Sequence, residues 1–151
     1  MGVHRFEMMP TVMKARAGQV AQGMTRIVKR AHGAVSSAVI RATPVDKGVA
    51  RSNWVGNLNG PFRGVIPAYS PGHKLGLGET ANATAAIGQN KAVALGFLAG
   101  KNMAIHTSNS VRYMGKLNAG GHSSQAPVAG FIDLAVQTGV VSVKGMTVLR
   151  R

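Results

Sequence analysis

The carboxylates of this chain are too few and too scattered to predict an acid–base or metal-dependent catalytic site. Two-metal nucleases and glycosidases need carboxylates that converge on one reacting group. The sequence holds four acidic residues, which lie far apart: Glu7, Asp46, Glu79 and Asp133. A catalytic site of either kind would have to use nearly all of them, so no hydrolase motif supports this chemistry.

The histidines and serines also lack the spacing of a reactive site. A zinc ion needs three or four converging ligands, and no histidine pair has the HxxxH spacing. The serines have no nucleophile-elbow context, and no GxxxxGK(S/T) phosphate loop is present. The sequence therefore predicts a protein that is not an enzyme and that uses neither a metal nor a cofactor.

Positive charge is the most marked global property of the chain. Eighteen lysines and arginines against four acids give a net charge of +14 at pH 7. Such an excess predicts a polyanionic neighbour, an acidic protein surface, or both. The basic residues are spread from Arg5 to Arg151, which favours a folded domain with a positive face over a basic tail. A basic surface that serves only solubility is the alternative.

Length and composition predict one domain, residues 1–151, made in the cytoplasm. A 45% share of hydrophobic residues is enough for a core. Cysteine is absent, which excludes disulfides and thiolate metal sites. No apolar run approaches the roughly 18–20 residues of a membrane-spanning helix, and the first residues lack the apolar stretch of a secretion signal.

One long helix, predicted over residues 9–42, is the first element that must position these charges. Its apolar residues step by three and four, which is a heptad-like stripe. The stripe consists of Met13, Ala17, Val20, Met24, Ile27, Ala31, Ala34 or Val35, and Ala38. Three internal glycines weaken the helix, so packing on its own sheet or on a neighbouring subunit must stabilise it. The helix ends before Pro44, because proline disfavours a helical residue before it.

A turn, a strand and a long loop follow the helix. Residues 45–48 suit a turn, since aspartate bonds nearby backbone and glycine supplies a positive φ. Residues 51–58 are predicted to form a strand with Trp54 near its middle. Three prolines and five glycines make residues 59–79 a loop, with one short strand at 65–66 at most. Loops of this length are usually functional or ordered by a partner.

The rest of the chain mixes helices and strands without regular alternation. Residues 80–98 read as an alanine-rich helix with four core candidates, Ile87, Ala94, Leu95 and Leu98. A strand at 103–108 and a helical turn at 111–117 follow. Pro127 suits the first turn of a last helix with Phe131, Ile132 and Ala135 facing inward. Residues 140–151 are a final strand or an extension. We expect an α+β fold with the long helix and one or two others on a small mixed or antiparallel sheet.

Three local patterns, each weak alone, are informative in their order and spacing. They are Thr43–Gly48 with Arg51–Trp54, Asn109 with Tyr113–Gly120, and Ser124–Pro127 with Gly130–Phe131. Over residues 9–139 they resemble the minor tail or tail-completion family of long-tailed bacteriophages, also called the head–tail joining or neck family. That family has a long helix, a Thr-Pro-Val-Asp-Thr-Gly turn, an Arg and a Ser before a strand Trp, and a Gln-Ala-Pro before its last helix. Lys47, Met114 and Asn118 depart from its usual Thr, Ala and Glu, and Asn118 removes a charge on which a subunit salt bridge would depend.

The resemblance implies a structural virion protein of the phage neck or tail end, assembled in the host cytoplasm. Such a protein forms a homo-oligomeric ring around the DNA path, a hexamer if it is a tail terminator and otherwise as large as a dodecamer. Its partners would be portal, adaptor, stopper and tail-tube proteins, with duplex DNA held non-specifically through its phosphates. No membrane is involved.

Candidate residues follow from the resemblance and from residue type. Those facing a DNA channel are Arg112, Lys116, His122, Lys74 and Lys101. Those at subunit or partner interfaces are Trp54, Tyr113, Phe62 and Tyr69, with Trp54 either in the core or in a subunit contact. The structural turn residues are Pro44, Asp46, Gly48 and Pro127.

A sequence-nonspecific nucleic-acid-binding protein of ribosomal or nucleoid type is the alternative function. It explains the charge of +14 directly and predicts strongly salt-dependent binding by the isolated domain. An aromatic content of 5% argues against a platform for stacking single-stranded bases. Membrane insertion of the long helix is disfavoured because its apolar side is rich in alanine.

Overall fold

A 34-residue helix with the predicted bounds dominates the computed structural model, which describes residues 7–72, 77–121 and 129–149. The described elements in chain order are α1 (Met9–Ala42), α2 (Val49–Ser52), β1 (Val55–Leu58), α3 (Leu77–Leu95), β2 (Ile105–Ser108), α4 (Met114–Ala119) and α5 (Phe131–Val141). The expected α+β class, with helices on a small antiparallel sheet, is confirmed. None of the described helices is long and apolar enough to cross a membrane.

The end of α1 is set by local chemistry that the sequence predicts. Thr43 is extended, with φ −68° and ψ 125°, as expected of a residue before proline. Its hydroxyl donates to the Val39 carbonyl at 2.7 Å, which satisfies an acceptor near the helix end. Gly48 has φ +79°, which confirms the turn and the need for glycine there.

The core lies on the C-terminal half of α1, where α5 and α3 pack against it. Gly139 of α5 approaches so closely that a Cβ there would lie 2.6 Å from the Val35 Cα. The buried apolar cluster contains Val39, Ile40, Ala50, Trp54, Ala83, Ala86, Ile87, Val111, Met114 and Ala135. Phe131 and Ile132 pack against this cluster, so the predicted inward face of α5 is confirmed.

The strand predicted at 51–58 is wrong in its first half. Residues 49–52 form the short helix α2, and β1 covers only 55–58, so Trp54 precedes the strand. The left-handed backbone of Gly48 starts a helical turn in which Arg51 points beneath the end of α1. Buried hydrogen bonds made from this turn override the local strand propensity.

The sheet has two antiparallel strands, with Val55 opposite Ser108 and Leu58 opposite Ile105. Gln89 of α3 covers the other edge of β1. Its Oε1 accepts from the Gly56 amide and its Nε2 donates to the Gly56 carbonyl, both at 2.9 Å. A side-chain amide thus replaces a third strand at the edge.

The chain after β1 is turn and coil as far as residue 72 and contains no strand at 65–66, whereas residues 77–79, which were predicted to be loop, form the start of α3. The Asn53 side chain takes the place of a strand partner. Its Nδ2 donates to the Ile66 carbonyl at 2.8 Å, and its Oδ1 accepts from the Ile66 amide at 2.7 Å.

Two core candidates on α3 are wrong. Ile87 and Ala94 are buried as predicted, but Leu95 is 75% exposed and Leu98 is 50% exposed. The helix buries the face that includes Ala83, Ile87 and Ala94, while Leu95 turns about 100° from Ala94 and Leu98 lies beyond the helix end.

Residues 140 and 141 belong to α5, and the described residues 142–149 form turns and coil, so the final strand predicted there is not formed. The chain reaches back to α1, where the Arg26 Nη2 donates to the Thr147 and Val148 carbonyls at 3.3 Å. Pro127 lies outside the described residues, and the helix that it was expected to open begins at Phe131.

Candidate functional site

Arg51, the arginine of the first sequence pattern, lies beneath the C-terminal end of α1. It is 6% exposed, and its Nη2 donates to the carbonyls of Thr43 at 2.7 Å and Arg41 at 3.1 Å. A cation here satisfies open carbonyls and complements the negative end of the helix dipole. Its Nη1 pairs with Glu79 of α3 at 2.7 Å, so one side chain joins α1, α2 and α3.

Trp54 is a core residue and is not exposed for a subunit contact. It is 8% exposed, and its indole N–H donates to the Thr43 hydroxyl at 2.6 Å. The Asn90 Nδ2 donates to the Trp54 carbonyl at 2.7 Å. A buried indole needs such an acceptor, and Thr43 supplies it at the end of α1.

Two buried asparagines of α3 were missed by the sequence analysis. The Asn82 Oδ1 accepts from the Ser52 hydroxyl at 2.9 Å and from the Ser70 amide at 2.7 Å. Asn90 accepts from the Thr107 hydroxyl at 2.9 Å. Their signal in the sequence is the presence of asparagine, a poor helix former, inside an alanine-rich helix. They fasten the long loop and the sheet to α3.

The first and second patterns meet at a cleft of about 370 Å³ that Asp46 and Tyr113 line together. The Asn109 Nδ2 donates to the Ala50 carbonyl at 2.7 Å, which holds the two patterns in contact. Burial raises the pKa of Tyr113, the Asp46 carboxylate raises it further, and a hydrogen bond with the Ala50 backbone opposes both. Tyr113 remains 44% exposed and is accessible to a partner.

Asn118 has a role inside the subunit. Its Oδ1 accepts from the Ile132 amide at 3.0 Å, and its carbonyl accepts from the Gly130 amide at 2.7 Å. Gly130 precedes α5 and has no side chain, so Asn118 caps that helix from α4. The part of the third pattern at 124–127 lies outside the described residues.

The residues expected to face a DNA channel do not form one described cluster. Arg112 and Lys116 are exposed at α4, whereas exposed Lys101 lines a groove beside α1 that neither of them lines. Lys74 and His122 lie outside the described residues. Among the aromatic interface candidates, Tyr69 is 44% exposed and Phe62 is half-buried.

The groove that contains Lys101 lies between α1 and the C-terminal end of α3 and encloses about 780 Å³. We call it the basic groove. Five cations line it, namely Arg26, Lys29, Arg30, Lys91 and Lys101, and no acidic residue does. Its apolar lining comprises Ala21, Ala94, Leu95, Leu98 and Ala99. Of these cations, Lys101 alone was predicted from the sequence as a binding residue, because the residue spacing does not show that α1 and the end of α3 converge.

Hydrogen bonds hold the two sides of the basic groove together. The Lys29 Nζ donates to the Leu95 carbonyl at 2.8 Å, and the Thr25 hydroxyl accepts from the Ala99 amide at 2.9 Å. These bonds fasten the end of α3 and the residues after it to the middle of α1. The backbone around the exposed leucines is therefore anchored to α1.

The first half of α1 is an uncovered surface. Residues 9–20 are exposed along the whole segment, which is roughly 18 Å of helix. We call the apolar row on it the methionine stripe; it comprises Met9, Met13, Val20 and Met24, which are 41–66% exposed. In the described part of the chain nothing covers this half of the predicted heptad-like stripe.

Over the described ranges, no three histidine, aspartate or glutamate side chains are placed to hold a metal ion. Comparison with protein-family models, with curated proteins and with solved structures gave no match.

Proposed function

We propose that this chain is a structural virion protein of the phage neck or tail end, acting as a tail terminator, tail-completion protein or head–tail connector. Copies of it would form a homo-oligomeric ring around the DNA channel and join tail to head. Portal, adaptor or stopper proteins and tail-tube proteins would contact the ring. The proposal combines the sequence resemblance with two features of the fold.

The first support comes from the residues of the shared sequence patterns, which stabilise the fold of the single chain. Arg51, Trp54 and Asn109 connect the end of α1 with neighbouring elements through buried or half-buried hydrogen bonds. Residues that make such hydrogen bonds stabilise a fold. A family of assembly proteins would share residues of this kind. The patterns do not need a reaction to explain them.

The observation that carries the proposal is the methionine stripe on the uncovered half of α1. An exposed apolar row on a projecting helix indicates a protein–protein contact, and methionine side chains adapt to varied partner surfaces. In a ring, each copy presents the same stripe to its neighbour. A second copy is the occupant that we propose, because a ring of identical subunits brings the same stripe to every interface.

The charge of +14 supports a polyanion at the ring. Copies of so basic a chain repel each other, and DNA in the channel or acidic surfaces on the head and tail partners would offset that repulsion. Arg112, Lys116 and Lys101 are the described cations that we assign to such contacts.

Native mass and electron microscopy of the purified protein test the proposal, with DNA and the head and tail partners added. We expect a discrete ring for the wild type. Met13→Glu with Val20→Glu places charges in the stripe and should give monomers. Gln19→Glu with Gln22→Glu adds the same charge to exposed positions of α1 off the stripe and should leave the ring intact. A wild type that stays monomeric with all partners present would overturn the proposal.

A nucleic-acid-binding protein is the second candidate, favoured by the net charge alone. It requires the isolated monomer to bind duplex DNA tightly, with an affinity that falls steeply with salt. Fluorescence anisotropy at several salt concentrations separates the two functions, since weak binding by the monomer at physiological salt eliminates this one.

A further inference from the structure

We infer that the basic groove is a docking site for an acidic, amphipathic segment of another protein. The inference uses residues of one protomer only, so it does not depend on the proposed ring. It assigns a partner to a surface that neither the sequence patterns nor the methionine stripe includes.

The lining of the basic groove has two chemical components that one occupant must match. Cations lie on both sides, with Arg26, Lys29 and Arg30 on α1 and with Lys91 and Lys101 on or after α3. Between them are Leu95 and Leu98, which are 75% and 50% exposed. An amphipathic helix with leucine-sized side chains on one face and carboxylates along its flanks satisfies both components at once.

A second copy of this chain does not have the charge for this role. Of its four acidic residues, Glu79 is paired with the buried Arg51 and Asp46 lies in the cleft with Tyr113. Glu7 and Asp133 lie in different elements far apart in sequence. A second copy would bring mainly like charge to the groove, which disfavours the contact.

Nucleic acid also matches the groove less well than an acidic peptide. Duplex DNA is held by cations that contact phosphates, and its backbone offers no apolar side chain for exposed leucines. Single strands are held by stacking on aromatic side chains, and none of the described residues that line the groove is aromatic. The cations and the apolar lining of the groove together therefore favour a protein segment over nucleic acid.

The groove is prepared for binding before a partner arrives. The hydrogen bonds from Lys29 to the Leu95 carbonyl and from the Ala99 amide to Thr25 hold the end of α3 against α1. Arg26 is oriented by its bonds to the Thr147 and Val148 carbonyls. A site that is already ordered loses less entropy on binding than a flexible one.

Fluorescence anisotropy with a labelled model peptide tests the inference. The probe is a 16-residue amphipathic helix with leucines spaced by three and four residues and glutamates on both flanks. We expect saturable binding to the full-length protein at physiological salt. Replacing the glutamates of the peptide by glutamines, or its leucines by serines, should abolish that binding.

Matched variants locate the binding site on the protein. Lys91→Ala with Lys101→Ala removes two groove cations and should weaken binding about tenfold or more. Leu98→Ser should also weaken binding, because it removes an apolar side chain from the groove lining. Lys47→Ala with Arg63→Ala removes the same charge at two exposed positions that do not line the groove, and it should change affinity less than about twofold. Circular dichroism melting curves check that all variants fold.

Three results would overturn the inference: no saturable binding, equal loss of affinity in the groove variant and the Lys47→Ala, Arg63→Ala control, or displacement of the peptide by duplex DNA that binds more tightly. A ring that forms but does not bind the peptide rejects the docking site alone. A monomer that binds it rejects the ring alone.

Discussion

At the scale of single residues, the buried side-chain polar atoms of the described residues have hydrogen-bond partners, with one exception at His32. Arg51 is the clearest case, because a buried charge is costly unless it is paired and hydrogen-bonded. Two carbonyls at the end of α1 and the Glu79 carboxylate supply those partners. The sequence indicates that Arg51 belongs to a pattern, but its partners lie up to 28 residues away and the spacing does not reveal them.

His32 is the residue whose buried polar atoms are not all satisfied. Thr107 donates its hydroxyl hydrogen to the Asn90 Oδ1 at 2.9 Å, so the contact of 2.8 Å with the His32 Nε2 requires that nitrogen to donate. The Nδ1 atom is buried and has no hydrogen-bond partner in the described part of the chain. Protonation would place an N–H there, and burial lowers the pKa of His32 below 6.5.

We predict from this that the protein is less stable in mild acid. Well above pH 6.5 the folded and unfolded chains both hold His32 neutral, and the lowered pKa has no effect on stability. At lower pH, His32 binds a proton in the unfolded chain more readily than in the folded chain, where its pKa is lower. The free energy of unfolding should then fall by at most about 1.4 kcal/mol per pH unit from this group.

Urea unfolding at pH 7.5 and at pH 5.0 measures the effect, with His32→Gln as the comparison. Glutamine keeps a donor for Thr107 and does not titrate, so the variant should lose less stability on acidification than the wild type. Equal losses in the two proteins would show that His32 does not contribute.

At the scale of elements, α1 was predicted accurately because its determinants are local. The apolar spacing and the proline after it set its extent, and the observed bounds agree. The strand at 51–58 and the burial of Leu95 were predicted wrongly because their determinants are non-local. Hydrogen bonds beneath α1 make residues 49–52 helical, and the end of α3 leaves Leu95 facing the basic groove.

The contact between α1 and α5 gives a prediction at this scale. A Cβ at Gly139 would lie 2.6 Å from the Val35 Cα, so Gly139→Ala must push two helix backbones apart. Overpacking of this kind costs about 1–3 kcal/mol, which exceeds the gain in helix propensity. Chemical denaturation should show a clear loss of stability.

Gly33→Ala is the matched control, because no atom lies within 4 Å of a Cβ at that position of α1. It should be neutral or should stabilise the protein by up to about 1 kcal/mol. If Gly139→Ala were as stable as Gly33→Ala, the helices would not be in the close contact described.

At the scale of the whole molecule, the two ends of α1 have different surroundings. Its C-terminal end packs in the apolar core, and its N-terminal end is exposed. Val39 and Ile40 belong to the core and Ala38 packs against it, whereas residues 9–20 are exposed. A helical segment of this length is marginal on its own in water. The sequence predicts the helix but not which half remains uncovered, because the same heptad-like stripe runs through both.

Hydrogen exchange measured by mass spectrometry should therefore depend on assembly. In the monomeric Met13→Glu, Val20→Glu variant, the amides of residues 9–20 should exchange rapidly and those of residues 36–42 slowly. In the assembled wild type the amides of 9–20 should become protected, because a neighbouring copy covers the stripe. Rapid exchange of 9–20 within an intact assembly would contradict that contact.

The bond from Arg26 to the Val148 carbonyl spans 122 residues of sequence, and α5 is nearly as remote from the part of α1 on which it packs. During translation the long helix therefore emerges well before the segments that cover it. Contacts between such distant segments slow folding, and a chain at this stage exposes apolar surface to its neighbours. The core around α1 can therefore form only after the C-terminal segments that pack on it have been synthesised.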